Sequence, residues 1–229
     1  YGTAIVGEVA DTGNTISFNG SASVFASTST NAPRSIVYDS TNNRIVAAYQ
    51  DGWASDHGKA VVGTVNGDNI TFSNSPTTFA SNGKTDYISA TFDSTNGKVV
   101  IAYQDQGNSS YGTVIAGEVN PNTNAITFGS PFVIESADTR RITATYNSTD
   151  DKVVITYADV GNSYYGTATV FANSGFPAPQ LGSPTLFESG STENIATAYD
   201  STNNRVVIAY RDVSNSHYGT AVVGTVSPA

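Results

Sequence analysis

Cysteine and methionine are both absent from the 229 residues, and with cysteine goes a whole class of chemistry. There can be no disulfide framework, no thiolate metal site and no cysteine nucleophile. Positive charge is scarce: 10 lysines and arginines stand against 19 aspartates and glutamates, a net charge of −9. Such a balance cannot displace the counterions of a phosphate backbone, so nucleic-acid partners are excluded. Charged residues of either sign make up only 13% of the chain. No apolar run nears the roughly 18 residues that span a bilayer, and no stretch of these residues reads as a signal peptide. The chain opens at Tyr1 without an initiator Met, so a processed or trimmed product is expected. Neither a Ser-His-Asp order nor a glycine-rich phosphate loop occurs.

Hydroxyl residues are what the chain has in excess, with 27 Ser and 29 Thr. Their source is a repeat. The segments YDSTNNRIVAAYQD from Tyr38, FDSTNGKVVIAYQD from Phe92, YNSTDDKVVITYAD from Tyr146 and YDSTNNRVVIAYRD from Tyr199 are near copies, starting 54, 54 and 53 residues apart. A second marker, GTAIVG from Gly2, recurs from Gly58, Gly112, Gly166 and Gly219.

Each repeat predicts four short strands. In Arg205 to Tyr210, alternate residues point to opposite faces and both faces are apolar, as in a strand covered on both sides. It joins the preceding strand (Ile195 to Tyr199) through Asp200-Ser201-Thr202-Asn203-Asn204, residues that stabilise tight reversals with Asx-type bonds. The third strand is the GTAVVG type, whose small residues allow close approach. The fourth, as in Ile70 to Phe79 and Ile126 to Ile134, is broken by Pro76 and Pro131 and therefore lies at an edge. No stretch holds a useful 3.6-residue period, so the fold class is all-β.

Four-stranded antiparallel units of about 54 residues, apolar on both faces of their inner strands, predict the blades of a β-propeller. The runs SIVYDSTNNRIVAAY and ATAYDSTNNRVVIAY resemble the hairpins of bacterial and viral β-propeller repeat proteins. That resemblance covers essentially the whole chain and implies the architecture without a particular activity. We expect one domain, residues 1–229, with four blades and five as the alternative. The N-terminal strand around Ile16 to Phe25 would complete the last blade. One GTA-type strand, at Gly2 or Gly219, is then left over. It would pair in a neighbouring chain, begin a further propeller in a longer parent, or belong to a fifth blade.

Two features share the rim opposite the DSTNN hairpins. One is a loop with Asp, Asn, Tyr and Gly at fixed spacing: Asp105, Asn108 and Tyr111 before Gly112; Asp159, Asn162 and Tyr165 before Gly166; Asp212, Asn215 and Tyr218 before Gly219. The first copy departs from it with Asp51, Trp53 and His57. Read structurally, these residues cap turns and cover blade edges. Read functionally, their oxygens bind sugar hydroxyls while the aromatic faces cover sugar rings. Clustered oxygens could also hold Ca²⁺, although the spacing matches no EF-hand loop. No metal site is expected from His57 and His217, which sit at different offsets. The other feature is the crossover into each inner strand, where Ala32-Pro33, Asp86-Tyr87, Arg140-Arg141 and Glu193-Asn194 take equivalent places. Asp86, Tyr87, Arg140, Arg141 and Glu193 would surround the channel mouth.

These features lead first to a recognition module without enzymatic activity, lectin-like or adhesive. It would bind glycans or a surface protein at an extracellular or surface-exposed place, on a cell or a virion, without a cofactor. The alternatives are a structural subunit of a viral tail, fibre or surface assembly, self-associating through the surplus strand, and a glycan-cleaving enzyme at the channel mouth. Propellers host all three.

Overall fold

In the computed structural model, residues 1–11, 13–172 and 180–226 are described, without the side chains of 32–34. Strands β1 (Gly2–Ala4), β2 (Glu8–Val9), β3 (Ile16–Ser17) and β4 (Ser23–Ala26) form an N-terminal half-blade. The first full blade is β5 (Thr30–Asp39), β6 (Arg44–Asp51), β7 (His57–Asn66), and β8 (Asn69–Phe72) with β9 (Thr77–Ala80). The second is β10 (Thr85–Asp93), β11 (Lys98–Asp105), β12 (Tyr111–Asn120), β13 (Ala125–Phe128) and the start of β14 (Phe132–Asn147). The rest of β14 opens the third, with β15 (Lys152–Asp159), β16 (Tyr165–Ala172), β17 (Gln180–Leu181) and the start of β18 (Thr185–Asp200). The remainder of β18, β19 (Arg205–Asp212) and β20 (Tyr218–Gly224) make the fourth. All pairings are antiparallel, and the only helical residues described are two short 3₁₀ turns, Gln106–Asn108 and Val160–Asn162. The fold is an all-β arrangement of propeller blades, and no described helix is long and apolar enough to cross a membrane.

The repeated hairpins form as their residues predict. Asp39 Oδ1 accepts from the backbone N–H of Thr41 and Asn42, while Asn42 Nδ2 donates to Oδ2 at 2.8 Å. Asp200 repeats this with Thr202 and Asn203; Asn147 Oδ1 accepts likewise from the N–H of Thr149 and Asp150, but there Asn147 Nδ2 is the donor, to Asp150 Oδ2. The turn then needs a left-handed residue, met by Asn43, Gly97, Asp151 and Asn204 with φ between 50° and 63°. The outer strands break where proline removes a donor, between β8 and β9 at Pro76 and between β13 and β14 at Pro131.

Strand β11 shows why its type is apolar on both faces. Val99, Ile101 and Tyr103 enter one core cluster with first-blade residues such as Val46 and Val62. Val100 and Ala102, between them, enter a second cluster with Ile142, Val153 and Ile155 of the third blade. Blades are therefore held by the layers between them.

An aromatic interlock organises each layer. A Cβ on Gly58 would overlap the ring of Phe79, so the outer strand can lie on the third strand only because that position is bare. The same Phe79 meets Tyr103 of the next blade with centroids 5.3 Å apart. Gly2, Phe25 and Tyr49 repeat the arrangement at 5.4 Å, and Gly166, Phe187 and Tyr210 at 5.3 Å. In the second blade Ile134 stands over Gly112 and shares a cluster with Tyr157. Such aromatic pairs contribute about 0.5–1.5 kcal/mol each beyond the area they bury. Burial, together with the nearby charge of Asp51, pushes the Tyr49 hydroxyl up to about 12.

At the N-terminus, the strands expected to complete the last blade pair locally: β3 with β2 and β4 with β1. The half-blade packs on the first blade, where Ala26 and Phe25 join Ala47, Tyr49 and Val61.

The interlock predicts that Gly166→Val is destabilising by about 1–3 kcal/mol, since the added methyls displace Phe187 and Thr192. A denaturant midpoint measures this, and an unchanged midpoint would show that Phe187 does not need the gap.

Candidate functional site

The register of the inner strands builds the rim. Thr30, Thr85, Thr139 and Thr192, all buried, pair across to the loop aspartates Asp51, Asp105, Asp159 and Asp212. One position further along, Asn31 pairs with Gln50, Asp86 with Gln104, Arg140 with Ala158, and Glu193 with Arg211. The first-blade equivalent of the channel-mouth residues is thus Asn31. The sequence comparison had matched Ala32-Pro33 instead, whose side chains lie outside the described residues. Beyond each pair the ladder slips, and Tyr87, Arg141 and Asn194 adopt left-handed φ of 50°, 55° and 49°. A bulge of this kind re-aims side chains, and non-glycine residues hold that conformation only under constraint.

The loops and the mouth are one unit. Thr85, Thr139 and Thr192 each donate their backbone N–H to the preceding blade's loop, at the carbonyls of Asp56, Ser110 and Tyr164, each at 3.0 Å. The loops turn through consecutive left-handed residues, such as Ser109 and Ser110, or Ser163 and Tyr164.

Asp86 accepts from Gln106 at 2.6 Å, from Gln50 of the first blade at 3.2 Å, and faces Lys84 at 3.1 Å. Asp138 accepts from Gln104 at 2.6 Å and from Arg140 at 2.8 Å. That bond to Asp138 holds the Arg140 guanidinium above its ordinary range. Glu193 has a guanidinium on each oxygen, Arg141 of the third blade at 2.9 Å and Arg211 at 2.6 Å. Arg140 and Arg141 both lie 5.8 Å from the ring centroid of Tyr164. Among the described residues, the buried polar atoms without a partner include Gln50 Oε1, Thr85 Oγ1, Arg141 Nη1 and Asp159 Oδ1, all on this rim. Buried groups of this kind are rare and call for an explanation.

The structure brings the channel-mouth residues Asp86, Arg140, Arg141 and Glu193 into this network, with Tyr87 at a bulge. The loop residues lie around it. Trp53 is 76% exposed and Tyr218 61%, Tyr111 and Tyr165 are half-buried, and Asn162 and Asn215 are exposed. Asp212 Oδ1 accepts from the Asn215 N–H, a turn-capping role. Asp51 is buried: it accepts from the Trp53 N–H and pairs with Lys59 at 2.6 Å, while His57 lies opposite it on β7. No group of three His, Asp or Glu side chains that could hold a metal is found among the described residues. Sequence reasoning missed Asp138, Gln50, Gln104, Gln106 and Tyr164. The one available signal was the glutamine before the repeated aspartate at Gln50 and Gln104.

No family model and no curated protein matches the chain. Among solved structures it is similar to a GH43 endo-arabinanase from Bacillus licheniformis, at 12% identity and a TM-score of 0.45, over 82% of this chain and 71% of that one. The sequence led first to a module without enzymatic activity. That expectation is corrected: the similar structure is described as an enzyme, and the non-enzymatic reading is not taken up again. A similarity of this depth carries no chemistry across, so the function rests on the rim's own residues.

Burial acts to raise the Asp51 pKa, but bonds from Lys59, Thr28 and the Trp53 N–H outweigh it and leave the carboxyl below its ordinary range. A depressed folded-state pKa stabilises the fold above the unfolded value, about 3.9, and that stability is lost as pH falls through the folded value. Asp51→Asn should therefore lower the denaturant midpoint at neutral pH, with the difference from the unaltered chain closing below about pH 4. A difference that does not vary with pH would contradict this.

Proposed function

We propose that the protein is a glycan-cleaving enzyme acting at the rim formed by Asp86, Asp138, Arg140, Arg141 and Glu193. One observation carries the reading: Arg141, at the bulge of one blade, reaches Glu193 of the next at 2.9 Å, so the mouth residues of successive blades converge. Hydrolysis of a glycosidic bond needs two carboxyl groups flanking it. One gives a proton to the leaving oxygen, and the other activates water or attacks the sugar carbon. Glu193, oriented by a guanidinium on each oxygen, is assigned the second role. Asp86, on the far side of the arginines in blade order, is assigned the first. The unpartnered atoms Arg141 Nη1, a donor, and Gln50 Oε1, an acceptor, suit sugar hydroxyls, which both accept and donate. Trp53 and the loop tyrosines Tyr111, Tyr165 and Tyr218 would extend the site with apolar faces for sugar rings. Polysaccharide outside the cell or on its surface is the setting we assign.

The test is release of reducing ends from a panel of plant and microbial polysaccharides, arabinan included, with and without Ca²⁺. Asp86→Asn and Glu193→Gln should each slow release by about 10²–10⁴-fold, the usual worth of a positioned acid or base, at an unchanged thermal midpoint. Absence of cleavage across the panel, or cleavage indifferent to both substitutions, would remove the proposal.

A further inference from the structure

Each second strand carries a tyrosine near its end, and the partner of its hydroxyl differs between layers. Tyr157 donates to Glu135 at 3.2 Å and Tyr210 to Glu188 at 2.9 Å, carboxylates of the preceding blade's outer strand. The two glutamates hold one register position, opposite Gly112 and Gly166. Opposite Gly2 that position is Ala26, so no carboxylate reaches Tyr49 from it. Tyr49 is only 2% exposed, and among the described residues its hydroxyl has no hydrogen-bond partner. A polar group in that state calls for an explanation.

A second change accompanies the first. The third-strand residue paired with the tyrosine is Thr113, Thr167 and Thr220 in the later blades, but Lys59 beside Tyr49. Tyr103 also meets an alanine position, Ala80 opposite Gly58, yet it keeps the threonine. Among the described blades, only Tyr49 combines a lost carboxylate with an added cation. Both changes face one cavity of about 230 Å³, lined by Phe25, Ala26, Tyr49, Lys59, Phe72 and Ser73 among others. Strand β1 lines none of it, and neither do Asp86, Asp138, Arg140, Arg141 and Glu193 of the mouth.

Charge decides what this cavity takes. Lys59 Nζ pairs with Asp51 at 2.6 Å, and an ammonium has further N–H groups for a second acceptor. Asp51 opposes another anion there, but Thr28, the Trp53 N–H and Lys59 already hold it. The later layers show which effect wins. Glu135 and Asp159 both surround Tyr157, and Glu188 and Asp212 both surround Tyr210, with threonine where Lys59 stands. The fold thus accepts a carboxylate beside the loop aspartate without a cation, and at Tyr49 it supplies one. Burial keeps the Tyr49 hydroxyl protonated at neutral pH, ready to donate.

The remaining walls are mixed. Phe25 and Phe72, with centroids 5.7 Å apart, offer apolar faces, while Ser27, Ser73 and Asn74 offer hydroxyl and amide groups. A hydroxylated ring suits both. Drug-sized sites run to about 300–1,000 Å³, so this smaller cavity fits a single ring. We propose that it binds a uronic acid, whose carboxylate accepts from the Tyr49 hydroxyl and the Lys59 ammonium as Glu135 and Glu188 accept in the later layers. The site is separate from the mouth, and binding there does not depend on cleavage.

Isothermal titration of the 229-residue chain with galacturonate and with glucuronate at neutral pH should show one site for at least one of them. Galactose, glucose and acetate should each bind about tenfold more weakly or worse, since each lacks either the carboxylate or the ring. Tyr49→Phe removes one oxygen and should weaken uronate binding by about tenfold or more at an unchanged thermal midpoint. Ala26→Glu supplies the chain's own carboxylate, as Glu135 does, and should abolish binding. Binding of neither uronate, equal binding of a neutral sugar or of acetate, or uronate binding unchanged in Tyr49→Phe overturns the proposal. Binding kept by a folded Ala26→Glu chain does so too, and Tyr49→Phe decides alone where that chain does not fold.

Discussion

The structure depends on one interaction: a large side chain of an outer strand that rests on a bare glycine of its own blade and touches a tyrosine of the next. Phe79, between Gly58 and Tyr103, is the clearest case. The contact does two things at once. It sets how closely the outer strand can approach the third, and it sets how one blade lies on its neighbour. Because core residues are shared between blades, as Val99 and Val100 on β11 show by facing different layers, no blade is a stable unit alone.

The rim follows from that stacking. With neighbouring blades fixed, each loop hydrogen-bonds the first residues of the next inner strand, and the bulge beyond turns a variable residue toward the centre. The core and hairpin positions are repeated because the interlock requires them. The mouth positions Asn31, Asp86, Arg140 and Glu193 are free to differ, and they carry amide, acid, base and acid in turn. A carboxylate held by a guanidinium from the adjacent blade is oriented without using its own blade's backbone. The scaffold supplies position, and the four differing residues set the charge pattern of the mouth.

Much of the fold was legible because it is written in short-range pattern. The Asp39 and Asp200 hairpins, the doubly apolar inner strands and the breaks at Pro76 and Pro131 each depend on residues within a few positions. The partner of the Ile16 to Phe25 strand was not legible, since β1 and β20 are nearly the same sequence and offer it the same glycine seats. The site was half legible. Variation among copies pointed to Asp86, Arg140, Arg141 and Glu193, but Asp138 precedes the bulge and looks like part of the outer strand. Tyr165 stood out by spacing, yet it is Tyr164, in a left-handed turn, that lies near Arg140 and Arg141. The Ser, Thr and Asn excess says little about the site, because much of it lies in the hairpins of the opposite rim.

The central claim is that blade stacking brings Asp86 and Glu193 to bear on one glycan. A crystal structure of Glu193→Gln soaked with an oligosaccharide tests it most directly. The account predicts a sugar ring bridging the two positions, with their carboxyl groups about 5–9.5 Å apart, the range that retaining and inverting hydrolysis allow. A sugar bound only at the loop tips near Trp53 or Tyr218, or a separation well beyond that range, would contradict it.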